Sequence, residues 1–246
     1  MELFEYLAVA GVAFVNIDDP LIVKHAPEST RAISYGMTST AKVSGTIATI
    51  DDLGRPTIRI ENTDIRINSV GRHNASNALA AIAVGLEFGI SLGAMKLALE
   101  NLKLPGKRME VIKQDNLVIL NDTYNANPES TLAALQVLHT FPSPGKKVFV
   151  FGDMLELGRH ARLEHAKIGK SLAKYNIDAF FAVGKMTAES VAAAQKTVAK
   201  LDARHFDSKQ KLADALANLD VENATILVKG SRGMKMEEVV EVLLNR

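Results

Sequence analysis

The chain has 246 residues, 47% of them hydrophobic and 23% charged, with 29 Lys and Arg set against 28 Asp and Glu. That length is enough for two modest domains with cores of their own, and a formal charge of +1 offers no global field for holding nucleic acid or an anionic membrane. Cysteine is absent, which excludes disulfides, thiolate nucleophiles and zinc–thiolate sites.

At the N-terminus, Glu2 and Glu5 stand where a secretory signal carries positive charge, and the apolar stretch 78–86 is too short to cross a bilayer. A soluble cytoplasmic protein without membrane insertion is the expectation. Residues 12–15 read as a buried strand ending in a polar turn closed by proline, Asn16-Ile17-Asp18-Asp19-Pro20. Stretches 42–50, 56–60 and 64–70, separated by Asp-Leu-Gly and Glu-Asn-Thr turns, predict a small antiparallel meander, and 74–88 and 92–102 predict two helices. Leu104-Pro105-Gly106-Lys107 combines both breakers with a charge and sets the expected domain boundary, 1–106 against 107–246.

Beyond that boundary, apolar runs at 117–120, 147–151, 179–183 and 226–229 alternate with helical stretches at 129–139, 163–174, 188–198, 209–219 and 236–244. Such β-α alternation predicts an α/β unit, a mostly parallel, doubly wound sheet with ligand-facing loops at the carboxyl ends of its strands.

The polar motifs fall on those loops and on helix starts. Asn121-Asp122-Thr123-Tyr124-Asn125-Ala126-Asn127-Pro128-Glu129-Ser130 packs acid, phenol and amides into one strand-to-helix turn. Asn127 suits a helix cap and Pro128 a first helical turn, which leaves Asp122, Tyr124 and Asn125 to be explained. His73, Asn74 and Asn77 open a helix, where amides reach either free backbone groups or a purine edge. Arg108 follows the boundary and offers a planar fork to phosphate, with Lys107 a solvated charge beside it. Asp153 and Glu156 follow the 147–151 strand, where helix N-terminal charge complementarity is one account and a ligand amine another. Lys229, Ser231 and Arg232 form a final strand-to-helix turn suited to an anion, though Lys229 can equally be read as the strand's end. No GxxxxGK[ST] occurs: Gly184-Lys185-Met186-Thr187 lacks the upstream glycine and a hydroxyl directly after lysine, and no GxGxxG follows the boundary.

Taken in order, these segments resemble the Mur ligase family. Gly71-Arg72-His73-Asn74-Ala75-Ser76-Asn77-Ala78-Leu79-Ala80-Ala81 is similar to GxHNxxNALAA, and Pro105-Gly106-Lys107-Arg108 to the PGR linker. Phe151-Gly152-Asp153-Met154-Leu155-Glu156-Leu157-Gly158 resembles GDMxELG, Val228-Lys229-Gly230-Ser231-Arg232 resembles VKGSR, and Leu3-Phe4-Glu5 with Asn16-Ile17-Asp18-Asp19-Pro20 resembles LFxxL and LNxDDP. The turn at 121–128 is closest to DDSYNANP, with Asn121 replacing the first aspartate. That turn favours the members that add D-alanyl-D-alanine to a UDP-MurNAc-tripeptide over those adding diaminopimelate or lysine.

The resemblance implies the rear part of a central ATP-binding domain over 1–106 and a complete Rossmann-like C-terminal domain over 107–246. It implies an ATP-dependent ligase that makes an amide through an acyl phosphate, in the bacterial cytoplasm and from a monomeric parent. ATP and Mg2+ are the implied cofactors, with the phosphate loop and metal ligands expected upstream of Met1. UDP-MurNAc-tripeptide and D-alanyl-D-alanine are the implied partners. Asn74, Arg108, Asp122, Tyr124 and Asn125 are carried over as nucleotide contacts, and Glu156, Ser231 and Arg232 as substrate contacts. His165 matches a histidine frequent in the family, and a helix-surface position accounts for it equally. Alternatives are a noncatalytic binding module, since the chain alone is not expected to hydrolyse ATP, and a folate-polyglutamating or other Mur-type ligase. The upstream reading frame separates the first of these from a ligase.

Overall fold

Two three-stranded sheets and helices make up the first unit, Met1–Leu104, and an α/β sheet the second, Pro105–Arg246. The computed structural model describes residues 4, 6–7, 11–26, 31–38, 40–102, 106–219 and 222–245. Glu2, Leu3, Glu5, Leu104 and Pro105, singled out in the sequence, lie outside them.

In the first unit, β1 (Val12–Asn16), β2 (Arg31–Gly36) and β3 (Val43–Ser44) pair in parallel. The proline-closed turn after β1 is the start of a helix, α1 (Pro20–His25). Asp19 caps it, accepting from Leu21 N at 2.8 Å and Ile22 N at 3.3 Å, and Pro20 occupies the first turn without sacrificing a hydrogen bond. The stretch predicted as one strand over 42–50 divides at Gly45, where a Cβ would stand 2.8 Å from Leu79 Cδ2. Its front becomes β3, and its rear, β4 (Thr46–Ile50), joins β5 (Pro56–Ile60) and β6 (Thr63–Arg66) in the antiparallel meander.

Ala75, Ala78, Leu79, Ile82 and Ala83 recur at helical spacing along α2 (His73–Glu87) and give it one buried face. They pack with Ile33, Ile58, Ile60, Ile65 and Met95, the last from α3 (Leu92–Glu100). Burying a Leu or Ile in this way contributes about 1.5–3 kcal/mol. Alanine on that face lets the helix approach the strands closely.

The second unit opens with a hairpin of β7 (Glu110–Gln114) and β8 (Leu117–Asp122), followed by α4 (Pro128–Thr140), β9 (Lys147–Gly152) and α5 (Ala161–Ser171). Then come β10 (Ala179–Val183), α6 (Thr187–Thr197), β11 (Asp202–Phe206), α7 (Lys209–Ala217), β12 (Thr225–Lys229) and α8 (Glu237–Leu244). Sheet order is β11-β10-β9-β12-β8-β7, parallel except for the β7 edge.

From β8 the chain steps outward to β9, β10 and β11, then reverses to lay β12 between β9 and β8. Crossovers keep one hand, so reversing direction moves the connecting helix to the opposite face. Strand alternation serves both faces. Val148, Val150, Phe181, Ile226 and Val228 meet Leu212 and Leu216 of α7, Val239 and Leu243 of α8, and Met236 just before α8. Phe149, Phe151 and Phe180 stack on the other face, Phe151 lying 5.9 Å from the His165 ring of α5. Every residue of β10 and β12 is buried, as a parallel sheet covered on both faces requires.

Candidate functional site

Because β12 lies between β8 and β9, the loops after these three strands start side by side, at the carboxyl edge where open α/β sheets hold ligands. The first loop is fixed at both ends. Asn127 caps α4 by accepting from Ser130 N at 2.8 Å, and Ser130 Oγ accepts from Asn127 N at 3.1 Å, a reciprocal box with Pro128 in the first turn. At the other end Asp122 sits opposite Lys229 in the β8–β12 register.

Lys229 is only 1% exposed. Its Nζ lies 2.5 Å from Asp122 Oδ2 and donates to Asn125 O at 2.9 Å. An ammonium removed from water costs several kcal/mol unless paired, so this lysine requires the carboxylate it has. Asp122 Oδ1 accepts in turn from Met109 N at 3.1 Å.

Tyr124 N donates to Lys107 O at 2.9 Å, and Lys107 N to Glu110 Oε2 at 3.2 Å, which draws the 107–109 turn against the end of β8. Lys107 and Met109 hold φ of 69° and 50°, so Arg108 is carried between two left-handed residues. Its Cζ stands 3.8 Å from the Tyr124 ring centroid, and Arg232 Cζ stands 5.5 Å from the same centroid. Each contact is a cation–π attraction of about 0.5–1 kcal/mol at an exposed site. One tyrosine therefore organises two exposed guanidiniums.

Ser231 ties the three loops together. Its Oγ accepts from Leu155 N at 2.8 Å and donates to Ala126 O at 3.3 Å, and its N donates to Asp153 O at 3.1 Å. Between the loops lies a cleft of about 180 Å³. Tyr124 and Asn125 form one wall, Leu155 and Glu156 a second, and Ser231, Arg232 and Gly233 the third. Glu156 is exposed with φ of 67°. Among the described residues Glu156, Arg108 and Arg232 make no ion pair, although Lys107 beside them pairs with Glu237 at 3.0 Å. The cleft thus offers the carboxylate of Glu156 and the guanidinium of Arg232, neither in an ion pair, with Arg108 adjoining it on Tyr124.

Five of the residues singled out in the sequence, Tyr124, Asn125, Glu156, Ser231 and Arg232, line this one cleft. Arg108 adjoins it through Tyr124, and Asp122 lies behind it on Lys229. Asn74 belongs to the first unit, at the start of α2, where its Nδ2 donates to Val70 O at 2.9 Å and its Oδ1 accepts from Asn77 at 3.1 Å.

Of two neighbours, His165 departs from its helix-surface account and Asp153 follows its helix N-terminal one. His165 is fully buried, not on a helix surface: its Nε2 accepts from Met154 N at 3.0 Å and its Nδ1 meets Ala161 O at 2.7 Å. Acceptance at Nε2 puts the proton of a neutral ring on Nδ1, with the ring holding the second loop from behind. Asp153 serves a helix N-terminus, that of α6 beyond the neighbouring strand, accepting from Met186 N at 3.0 Å and Thr187 N at 2.8 Å. Gly184, with φ of 131°, admits the carboxylate, since a Cβ there would lie 2.3 Å from Asp153 Oδ1. The sequence reading left out Leu155 and Gly233 as walls and gave Lys229 no partner. A lysine closing the apolar run 226–228 was the one available signal.

Residues 107–232 match the family described as Mur ligase, glutamate ligase domain, and residues 1–85 match the Mur ligase middle domain. The chain belongs to the Mur ligase family. It is similar to the UDP-N-acetylmuramoyl-tripeptide--D-alanyl-D-alanine ligase of Bacillus subtilis (strain 168), 36% identical over 99% of this chain and 53% of that one. To the ligase of the same name from Escherichia coli (strain K12) it is 40% identical, over 74% of this chain and 39% of that one. The crystal structure of MurF from Acinetobacter baumannii superposes on the whole chain and 54% of its own, with a TM-score of 0.86 and 29% identity. This Mur ligase chain therefore spans about half the length of the curated relatives it matches. Among the described residues no group of three or more His, Cys, Asp or Glu is placed to hold a metal ion, and no helix is long and apolar enough to cross a membrane.

Proposed function

We propose that the protein acts as an ATP-dependent ligase that joins D-alanyl-D-alanine to a UDP-MurNAc-tripeptide in peptidoglycan precursor synthesis. The observation that carries the reading is the cleft itself. In a Mur ligase chain similar to enzymes of that name, free charges of both signs border a space of about 180 Å³, a size suited to a small zwitterion. Residues 1–106 are read as the rear of the ATP-binding domain and 107–246 as the domain that presents the incoming amine.

A free carboxylate is a poor electrophile, so the tripeptide carboxylate first takes the γ-phosphoryl of ATP and releases ADP. The dipeptide ammonium gives up a proton to solvent, and the resulting amine attacks the acyl phosphate, forming the amide as phosphate departs with the nitrogen's second proton. Mg2+, when bound, would neutralise phosphate charge, and the described residues supply no cluster to hold it. Within this chain, Glu156 receives the dipeptide ammonium and Arg232 its carboxylate through charge-assisted hydrogen bonds. Ser231, whose hydroxyl proton is directed at Ala126 O, shapes the wall between them. Arg108 faces the nucleotide phosphates, Tyr124 and Asn125 flank the reacting groups, Asp122 supports the ribose side, and Asn74 serves the adenine.

The test is phosphate release by the longest reading frame containing these residues, measured with and without UDP-MurNAc-tripeptide and D-alanyl-D-alanine. Release that requires both substrates is expected, and Glu156→Gln should raise KM for the dipeptide roughly 10- to 100-fold, the worth of one hydrogen bond to a charged group. Release that ignores the dipeptide would refute the assignment.

A further inference from the structure

We infer that Lys229 is a positioning residue for Arg108, acting through Asp122 and the 107–109 turn. The inference rests on the reading of Arg108 as a phosphate contact and goes beyond it by naming what holds that guanidinium in place.

A lysine that merely ended β12 would direct its side chain to water. Lys229 is instead almost fully buried, and its hydrogen bonds leave its own strand for the end of β8 and the loop after it. One bond, to Asn125 O, fixes the backbone immediately after Tyr124. The other, to Asp122 Oδ2, orients a carboxylate whose second oxygen accepts from Met109 N, the residue directly after Arg108. Lys107, directly before Arg108, is bound through its carbonyl to Tyr124 N. The guanidinium and the ring it stacks on, 3.8 Å apart, are thus both anchored to one ammonium.

The turn being held has two residues at positive φ, a conformation that non-glycine residues keep only when surrounding bonds over-determine it. Asp122 is just 16% exposed at its side chain, so it cannot exchange its lysine for water freely. Removing the ammonium is expected to release the 107–109 turn before it releases the sheet, whose β12 pairs with β8 and β9 along its whole length.

The experiment compares Lys229→Met with the double variant Lys229→Met/Asp122→Asn in this 246-residue chain, without ligand. Two readouts are recorded: amide-exchange protection of β8, β9 and β12, and the ring-current displacement of the Arg108 side-chain protons by Tyr124 in NMR spectra. In Lys229→Met, protection should persist while the Arg108 displacement falls to that of a solvated arginine. In the double variant no unpaired charge remains and stability should return, but Asn125 O is still unheld, so the displacement should stay lost. If Lys229→Met does not fold, the double variant decides. A parental Arg108 displacement in a folded Lys229→Met would overturn the inference. So would recovery of displacement together with stability in the double variant, or loss of sheet protection in both, each of which makes Lys229 a support of the fold alone. Because no ligand enters, failure of the ligase assignment and failure of this inference are read from different experiments.

Discussion

Asp153 illustrates how a polar residue in a family motif serves the scaffold. Its carboxylate accepts from two amides at the start of α6 and is only 6% exposed, so truncation leaves those donors unsatisfied in the interior. Asp153→Ala should lower unfolding free energy by about 2 kcal/mol, within the range for buried donors left without acceptors. Urea denaturation checks this, and a change near zero would mean that water replaces the carboxylate. At this scale the sequence disclosed chemical type well. Asn127 and Pro128 read correctly as a helix start because capping depends on residues four apart or fewer. Lys229 did not disclose its role, since its carboxylate partner is 107 residues away.

Elements tell a similar story, with edges as the exception. The central strands of the second unit were legible as apolar runs because both their faces are covered. β11 was not: Asp-Ala-Arg-His-Phe buries only Ala203, as suits an edge strand with one side open. β7, at the other edge, has no fully buried residue, and α1 is six residues long with none. Neither has a buried face whose period could be read, although α1 carries the apolar run Leu21-Ile22-Val23.

The contact of α5 with α6 offers a test of packing against propensity. Gly169 faces the backbone of Ser190, and a Cβ there would stand 2.0 Å from Ser190 O. Helix propensity favours Gly169→Ala by about 1 kcal/mol, whereas overpacking against backbone that cannot rotate away costs about 1–3 kcal/mol or more. Packing should win, and the variant should denature at lower urea than the parent. A stabilised Gly169→Ala would show that the helices part without cost.

Where the 107–109 turn meets α8, acid should weaken the junction. Burial alone would raise the Glu237 carboxyl, but its own backbone amide and Lys107 together hold it below the usual carboxylate range. A depressed folded pKa contributes stability that is complete above the unfolded value, about 4.3, and lost as pH falls through the folded one. Glu237→Gln should therefore cost up to about 1 kcal/mol at neutral pH and nothing once the parent's Glu237 is protonated. Thermal midpoints of parent and variant, compared along a pH series, should converge in acid. Divergence there would reverse the sign of the coupling.

For the molecule as a whole, each unit has a core of its own, one built around α2 and the other on the six-stranded sheet. Residues 106–246 expressed alone should fold, keeping the amide fingerprint of the second unit in heteronuclear NMR. A collapsed spectrum would show that its core depends on the first unit.

Local pattern carried the α/β class, the order of most helices and strands, and the residue types of the cleft, because period, capping and turn chemistry act between near neighbours. It could not carry the return of β12 to a place between β8 and β9, which depends on pairing across more than a hundred residues. That return gathers three distant loops around one space and buries Lys229 against Asp122. Folding in three dimensions thereby turned separate polar turns into a site.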